Sequence, residues 1–247
     1  MLFTLSWDDG HPLNLKMAEL LNKYGLKATF YIEGKYLESE KNKNEVCSLA
    51  RTQEIGAHTF SHPKLTEVDD DLAADEIILG KEKIEVVINK PVIMFSYPYG
   101  LYSEKLKEMS QKAGFVGART VKMFQINKPH DFFECDTTWH VYPFPFRKKD
   151  ATHLHGPRVI LQPLRRAYKY IFRYHLPLNS FFSWFNLTKN LFDYSLKNGE
   201  VFHLWGHSWE IEKYGMWQGL EKFFKYIKNY KDIKVMTNGE MVKYFKN

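Results

Sequence analysis

The chain has 247 residues, of which 44% are hydrophobic and 26% charged, with a formal net charge of +6. That apolar share suffices for a buried core, and the length is ordinary for one α/β barrel domain spanning 1–247. No uninterrupted apolar run approaches the length of a membrane span. The two cysteines, Cys47 and Cys135, lack metal-ligand spacing and are expected as reduced packing residues.

Leu2–Trp7 is a short apolar, β-prone run stopped by Asp8-Asp9-Gly10, the pattern of a buried strand ending in a turn. His11-Pro12 opens a helix, because proline's missing N–H costs nothing at the first helical position. Leu13, Met17, Leu20 and Leu21 follow at helical spacing, and Gly25 ends the helix. Lys27–Ile32 is the next strand. A strand, helix, strand succession of this length is a parallel βαβ unit. It places Asp8 and Asp9 at the C-terminal end of the first strand, the edge where barrels carry their chemistry.

Glu54–His58 reads as another short strand running into a loop. Pro63 pushes His62 away from the α region, so His58 and His62 are a strand-end and a loop histidine rather than a helical metal-binding pair. Two imidazoles and one carboxylate can hold a divalent cation and leave a position open for water. On zinc the pKa of that water falls from 15.7 toward ~7, and a second carboxylate can take its proton.

Further along, Pro91–Tyr97 reads as a strand, Tyr102–Ala113 as a helix and Gly114–Ala118 as a strand. Val201–Glu210 is a late strand ending in polar residues between Trp205 and Trp209. His203 lies inside the apolar run and reads as a core histidine. His207 follows Gly206 at the strand's end and is the better general acid. Glu210, three residues on, either orients its ring or is solvated. Leu220–Tyr230 reads as a helix and Ile233–Thr237 as a closing strand.

At these residues the chain resembles the polysaccharide deacetylases with the NodB homology domain, carbohydrate esterase family 4, over roughly residues 1–120 and 200–245. Leu5-Ser6-Trp7-Asp8-Asp9-Gly10 is similar to the first motif, which makes Asp8 the general base and Asp9 a metal ligand. His58-Thr59-Phe60-Ser61-His62 matches the second, whose histidines bind the metal. Ser96-Tyr97-Pro98-Tyr99-Gly100 resembles the third, where a backbone N–H holds the oxyanion. Proline has none, so the donor here is the amide of Tyr99. Trp205-Gly206-His207 resembles the fifth motif and makes His207 the acid. The third motif of the family usually opens with an arginine that braces the base, and Ser96 stands there instead. Asp136-Thr137-Thr138-Trp139 is the nearest match to the fourth motif, so Asp136 and Glu210 compete as partners of His207.

The resemblance implies a distorted (β/α) barrel of the seven-strand type. It also implies a hydrolase that removes acetyl from an N-acetyl or O-acetyl sugar, with Tyr97, Trp139 and Trp205 against the substrate. The donor set suits zinc, and also cobalt, nickel, iron or manganese. Two other functions fit the same fold: a non-catalytic saccharide-binding or scaffold protein, and a cyclic-amide hydrolase. No leader precedes the first strand, so the chain as given is expected in the cytoplasm, acting on a soluble or lipid-linked saccharide.

Residues 142–198 do not resemble the family and read as an aromatic and basic insertion. Arg147, Lys148, Lys149, Arg158, Arg165, Arg166, Lys169 and Arg173 stand there against only Asp150 between Arg147 and Arg173. Tyr168, Tyr170, Phe172, Tyr174, Phe181, Phe182, Trp184 and Phe185 interleave with them and follow. Three readings compete: a solvated face over an aromatic core, peripheral contact with an anionic membrane surface, and a clamp for a nucleotide- or lipid-linked substrate. Nucleic acid is not expected, since no reader motif is present.

Overall fold

The computed structural model describes residues 1–147 and 157–247; Lys148, Lys149 and Asp150 of the basic run lie outside them. Leu2–Asp8 forms β1, buried along its whole length, as befits a parallel strand covered on both faces. After α1 (Leu13–Lys23) the chain turns at Gly25 with φ 67°, a conformation that glycine adopts without steric cost. β2 covers only Thr29–Ile32, because the amide of Ala28 donates to the Gln53 side chain at 2.7 Å instead of to a ladder.

Next come α2 (Glu40–Leu49), β3 (Glu54–Ala57) and α3 (Asp70–Ile88). Ser39 and Asp69 cap the two helices by accepting the amides of Asn42 and Leu72. β4 (Met94–Ser96), α4 (Glu104–Lys112) behind a Ser103 cap, and β5 (Gly117–Arg119) follow. Then come β6 (Trp139–His140), α5 (Pro157–Ile160), α6 (Gln162–Arg173) and α7 (Trp184–Asn198). The chain finishes with β7 (Val201–His207), α8 (Ser208–Tyr214), α9 (Trp217–Ile227), β8 (Lys234–Met236) and α10 (Asn238–Lys246). No helix among the described residues is long and apolar enough to cross a membrane.

Every strand pairing is parallel, in the order β5-β4-β3-β2-β1-β7-β6. β1 is the hub. On one edge β7 matches it from Leu2–Val201 to Asp8–His207. On the other, β8 takes Leu2–Thr4 and β2 takes Ser6–Asp8. The far ends of the sheet are linked through residues 132–138, where Cys135 bridges Arg119 of β5 and the Thr138 amide donates to His203 O of β7 at 2.8 Å. The architecture is a half-barrel of parallel strands wrapped by helices.

The core explains which part of 142–198 is integral. Phe3 of β1 stacks on Phe202 of β7 with centroids 5.8 Å apart, and Phe192 of α7 meets Phe223 of α9 edge-on at 5.9 Å. All four rings are fully buried, each worth roughly 1.5–3 kcal/mol of apolar burial. α7 is therefore a wall of the barrel rather than an appendage. α6 lies further out. Ala167 and Ile171 face inward, Tyr170 stacks on Phe124 at 4.0 Å, and the Tyr174 hydroxyl donates to Phe124 O at 2.6 Å.

Candidate active site and metal centre

The C-terminal ends of β1, β3, β4, β5, β6 and β7 converge on one cavity of about 410 Å³. It is lined by Asp8, Asp9, His58, His62, Tyr97, Tyr99, Val121, Met123, His140, Arg166, Trp205, His207 and Trp209. Four of the seven non-glycine residues with positive φ among the described residues stand at this mouth: Asp9 (68°), Thr59 (64°), His62 (62°) and Tyr99 (58°). Backbone strain of this kind costs about 1–3 kcal/mol per residue and gathers where side chains must be aimed.

Asp9 Oδ1 lies 3.9 Å from Nε2 of both His58 and His62, and those two nitrogens are 3.1 Å apart. The surroundings fix each donor. The Trp209 indole N–H donates to Asp9 Oδ2 at 3.1 Å, and Asn14, itself held by Ser208, donates to the Asp9 carbonyl at 2.8 Å. Nδ1–H of His58 donates to Ser96 O at 2.7 Å, which leaves its Nε2 lone pair facing Asp9. Metal-bound imidazoles are commonly oriented in this way, their other ring N–H held by a carbonyl. Burial, and then the neighbouring His62, drive the His58 pKa down to about 3, so the ring is neutral as a ligand must be. One carboxylate and two neutral-capable imidazoles aimed at a common point fit a divalent cation.

The loop carrying the histidines is held from behind by Glu76 of α3, whose carboxylate accepts the amides of Phe60 (3.0 Å) and Ser61 (2.7 Å) and the Ser61 hydroxyl (2.6 Å). Gly80 permits this approach, since a Cβ there would meet the Thr59 carbonyl carbon at 2.4 Å. Below Asp9, Glu33 accepts the Gly10 amide at 2.6 Å, and burial together with the charge of Asp9 pushes its carboxyl up to about 7.

Asp8 is buried, and its Oδ2 is gripped by Arg119 in an ion pair. Arg119 is wholly buried. It donates also to Ser96 Oγ at 2.6 Å and Thr120 O at 3.0 Å, and its guanidinium lies between the rings of Trp205 (4.9 Å) and Tyr31 (5.3 Å). Arg119 thus stands behind the acid in space, reaching from the end of β5 over the short Ser96 side chain. Among the described residues Asp8 Oδ1 has no hydrogen-bond partner.

His207 sits across the cavity, with Nε2 3.9 Å from Asp9 Oδ2 and Nδ1 hydrogen-bonded to Glu210 Oε2 at 2.6 Å. Burial works against its charge, but the Glu210 hydrogen bond and the nearby Asp8 and Asp9 outweigh it and raise its pKa. Glu210 is desolvated, yet its two histidine contacts bring its pKa down to about 2. The second histidine is His140, 3.3 Å from Glu210 Oε2 and stacked on Trp205 at 4.0 Å; burial lowers its pKa. Of the two residues that compete on sequence grounds, Glu210 is therefore the one touching His207. Asp136 bonds the Thr120 hydroxyl and lines a different cavity with Asp131 and Glu134. His203 donates or accepts within the core, 2.9 Å from Ser6 Oγ.

Trp139 is not brought to this cavity. Its ring packs between Phe124 (5.1 Å) and Phe144 (5.8 Å) and borders a small adjoining space, because alternation along β6 turns the neighbouring His140 to the site instead. Tyr97 borders the cavity but is fully buried, its hydroxyl donating to Phe133 O at 3.2 Å. Tyr99 is exposed and its ring stands 4.8 Å from that of His62. Arg119, His140 and Arg166 carry no motif signal in the sequence.

Comparison with known proteins bears on the fold and on the first half of the chain. The polysaccharide deacetylase family model matches residues 2–118. The peptidoglycan-N-acetylglucosamine deacetylase of Bacillus cereus is 30% identical over 115 residues, covering 45% of this chain and 41% of that protein. The match thus spans about two fifths of the length of such relatives. A Mycobacterium smegmatis protein assigned to the polysaccharide deacetylases superposes with a TM-score of 0.71 at 13% identity, over 99% of this chain and 90% of that one. BA3943 of Bacillus anthracis, a pseudoenzyme of carbohydrate esterase family 4, superposes with a TM-score of 0.56 at 16% identity, over 98% of this chain and 65% of that one. Through residues 2–118 the chain is similar to the polysaccharide deacetylase family, and it shares the fold of the Mycobacterium smegmatis protein.

Proposed function

We propose that this protein is a metal-dependent carbohydrate deacetylase acting on an N-acetyl or O-acetyl sugar, with Asp9, His58 and His62 holding a divalent cation, zinc foremost. The observation that carries this reading is the single cavity bearing that donor trio, a buried acid with one unbonded oxygen, and a histidine whose proton affinity is raised.

A divalent cation held there would supply Lewis acidity toward the acyl oxygen and lower the pKa of a water. Asp8 accepts the water's proton through Oδ1, while Arg119 fixes the carboxylate through Oδ2. The Tyr99 amide faces the developing oxyanion. His207 gives its proton to the departing amine or alkoxide. Its Nδ1 is held by Glu210, so the proton to be donated sits on Nε2, the nitrogen turned toward Asp9. His140, kept neutral by burial, does not compete for that role. Trp205 and Trp209 offer ring faces to a pyranose, and a nucleotide- or lipid-linked saccharide is the substrate form we favour.

The test is acetate release from N-acetylglucosamine oligomers by metal-loaded protein, alongside metal content of the purified chain. Stoichiometric zinc with acetate release supports the reading. A loaded protein that binds the oligomer without releasing acetate would instead indicate the non-catalytic saccharide-binding alternative; BA3943 is itself described as a pseudoenzyme. Ring opening of a cyclic amide, without acetate release from the oligomer, would indicate the third.

A further inference from the structure

Residues 157–182 contain five arginines and lysines and no acidic residue. Along α6, Leu161, Arg165, Tyr168 and Phe172 recur at intervals of four, three and four, so they form one stripe. All are exposed, on a different face of the helix from the inward Ala167 and Ile171. Phe172 is 63% exposed and meets Phe181 at 5.8 Å, which extends the stripe to Leu178 and Phe182, exposed at 75% and 73%. Arg158, Lys169 and Arg173 are exposed beside it. Among the described residues no carboxylate pairs with any of these cations.

A solvated face over an aromatic core accounts for Tyr170 and Trp184, which are anchored inward, but not for phenylalanines turned to water beside cations that have no carboxylate partner among the described residues. Such a mixture suits a boundary where rings enter the acyl region and basic heads meet anionic lipid. Arg166, on the same helix but about a third of a turn round from the stripe, lines the cavity, so α6 borders the cavity. We propose that α6 and the Leu178–Phe182 turn dock peripherally on an anionic bilayer, presenting the cavity to saccharides at the membrane surface. The occupant is lipid rather than a protein partner because the face unites bare aromatic rings with a one-signed charge complementary to acidic headgroups.

The test needs no turnover and so stands or falls apart from the deacetylase reading. Cosedimentation is measured with phosphatidylcholine vesicles, with and without phosphatidylglycerol, for four forms of the full chain. These are wild type, Arg165→Gln/Lys169→Gln, Phe172→Ser/Phe182→Ser, and the remote pair Lys83→Gln/Val86→Ser on α3. Wild type should bind only the anionic vesicles and release in high salt. Each removed cation should weaken partitioning about fivefold, the phenylalanine pair should weaken it at least tenfold, and the α3 pair should leave it unchanged. Circular dichroism confirms that each variant is folded. Absence of wild-type binding to anionic vesicles at low salt overturns the proposal. So does equal loss in the α3 pair, or sedimentation velocity showing that this face is covered by a second copy.

Discussion

Removing the Arg119 guanidinium is the most demanding test of the site's electrostatics. Arg119→Met keeps much of the apolar stem but strands the Asp8 carboxylate in a pocket where both partners are buried. Ser96 Oγ and Thr120 O lose their donors as well. Breaking one partner out of a buried pair costs about 3–5 kcal/mol, and for a chain of this size that lowers Tm by roughly 6–20 °C. The cost arises from an uncompensated charge, so Asp8→Asn in the same molecule should return most of the stability. Thermal and urea melts of the metal-free wild type, both single variants and the double variant form a closed cycle. A loss below about 1 kcal/mol for Arg119→Met, the range of exposed pairs, would refute the reasoning. An Asp8→Asn/Arg119→Met protein no more stable than Arg119→Met alone would refute it equally.

Other expectations concern the chemistry. Asp8→Asn should retain bound metal by elemental analysis yet lose about 10²–10⁴-fold in acetate release. His58→Ala should lose the metal itself, and chelation should then no longer lower its Tm as it does that of wild type. The raised pKa of His207 means that the acid is charged below that value and is lost as pH rises through it, so it sets the alkaline limb of kcat/KM. Glu210→Gln removes the hydrogen bond that raises it, and the limb should move to lower pH; Asp136→Asn, which touches Thr120, should leave it in place.

The clustering of Asp9, His58 and His62 and the order of the early elements were legible because they follow strong local signals. Asp8-Asp9-Gly10 breaks an apolar run, and His62 stands before a proline. Glu210 was visible as a candidate because it lies one helical turn from His207 in α8. Arg119 was not, since it lies 111 positions from Asp8 and nothing near Ala118-Arg119-Thr120 marks it. The only hint was negative: Ser96 is too short to brace an acid. Trp139 misled because β6 has two residues, too few for alternation to tell which neighbour faces inward. Residues 142–198 misled in part, because α7 carries core residues whose partners, Phe3 and Phe223, are far away in sequence.

The N-terminal strand's three neighbours have a consequence for biosynthesis. Leu2–Asp8 is synthesised well before two of its neighbours, since one of its edges is completed only by Val201–His207 and part of the other by Lys234–Met236. Loop closure over such separations is slow, so an unzipped, water-averse ribbon must be kept from straying until those distant segments exist. Its two aspartates cannot face their opposing histidine before that zippering, so the cavity assembles late and all at once rather than piecemeal.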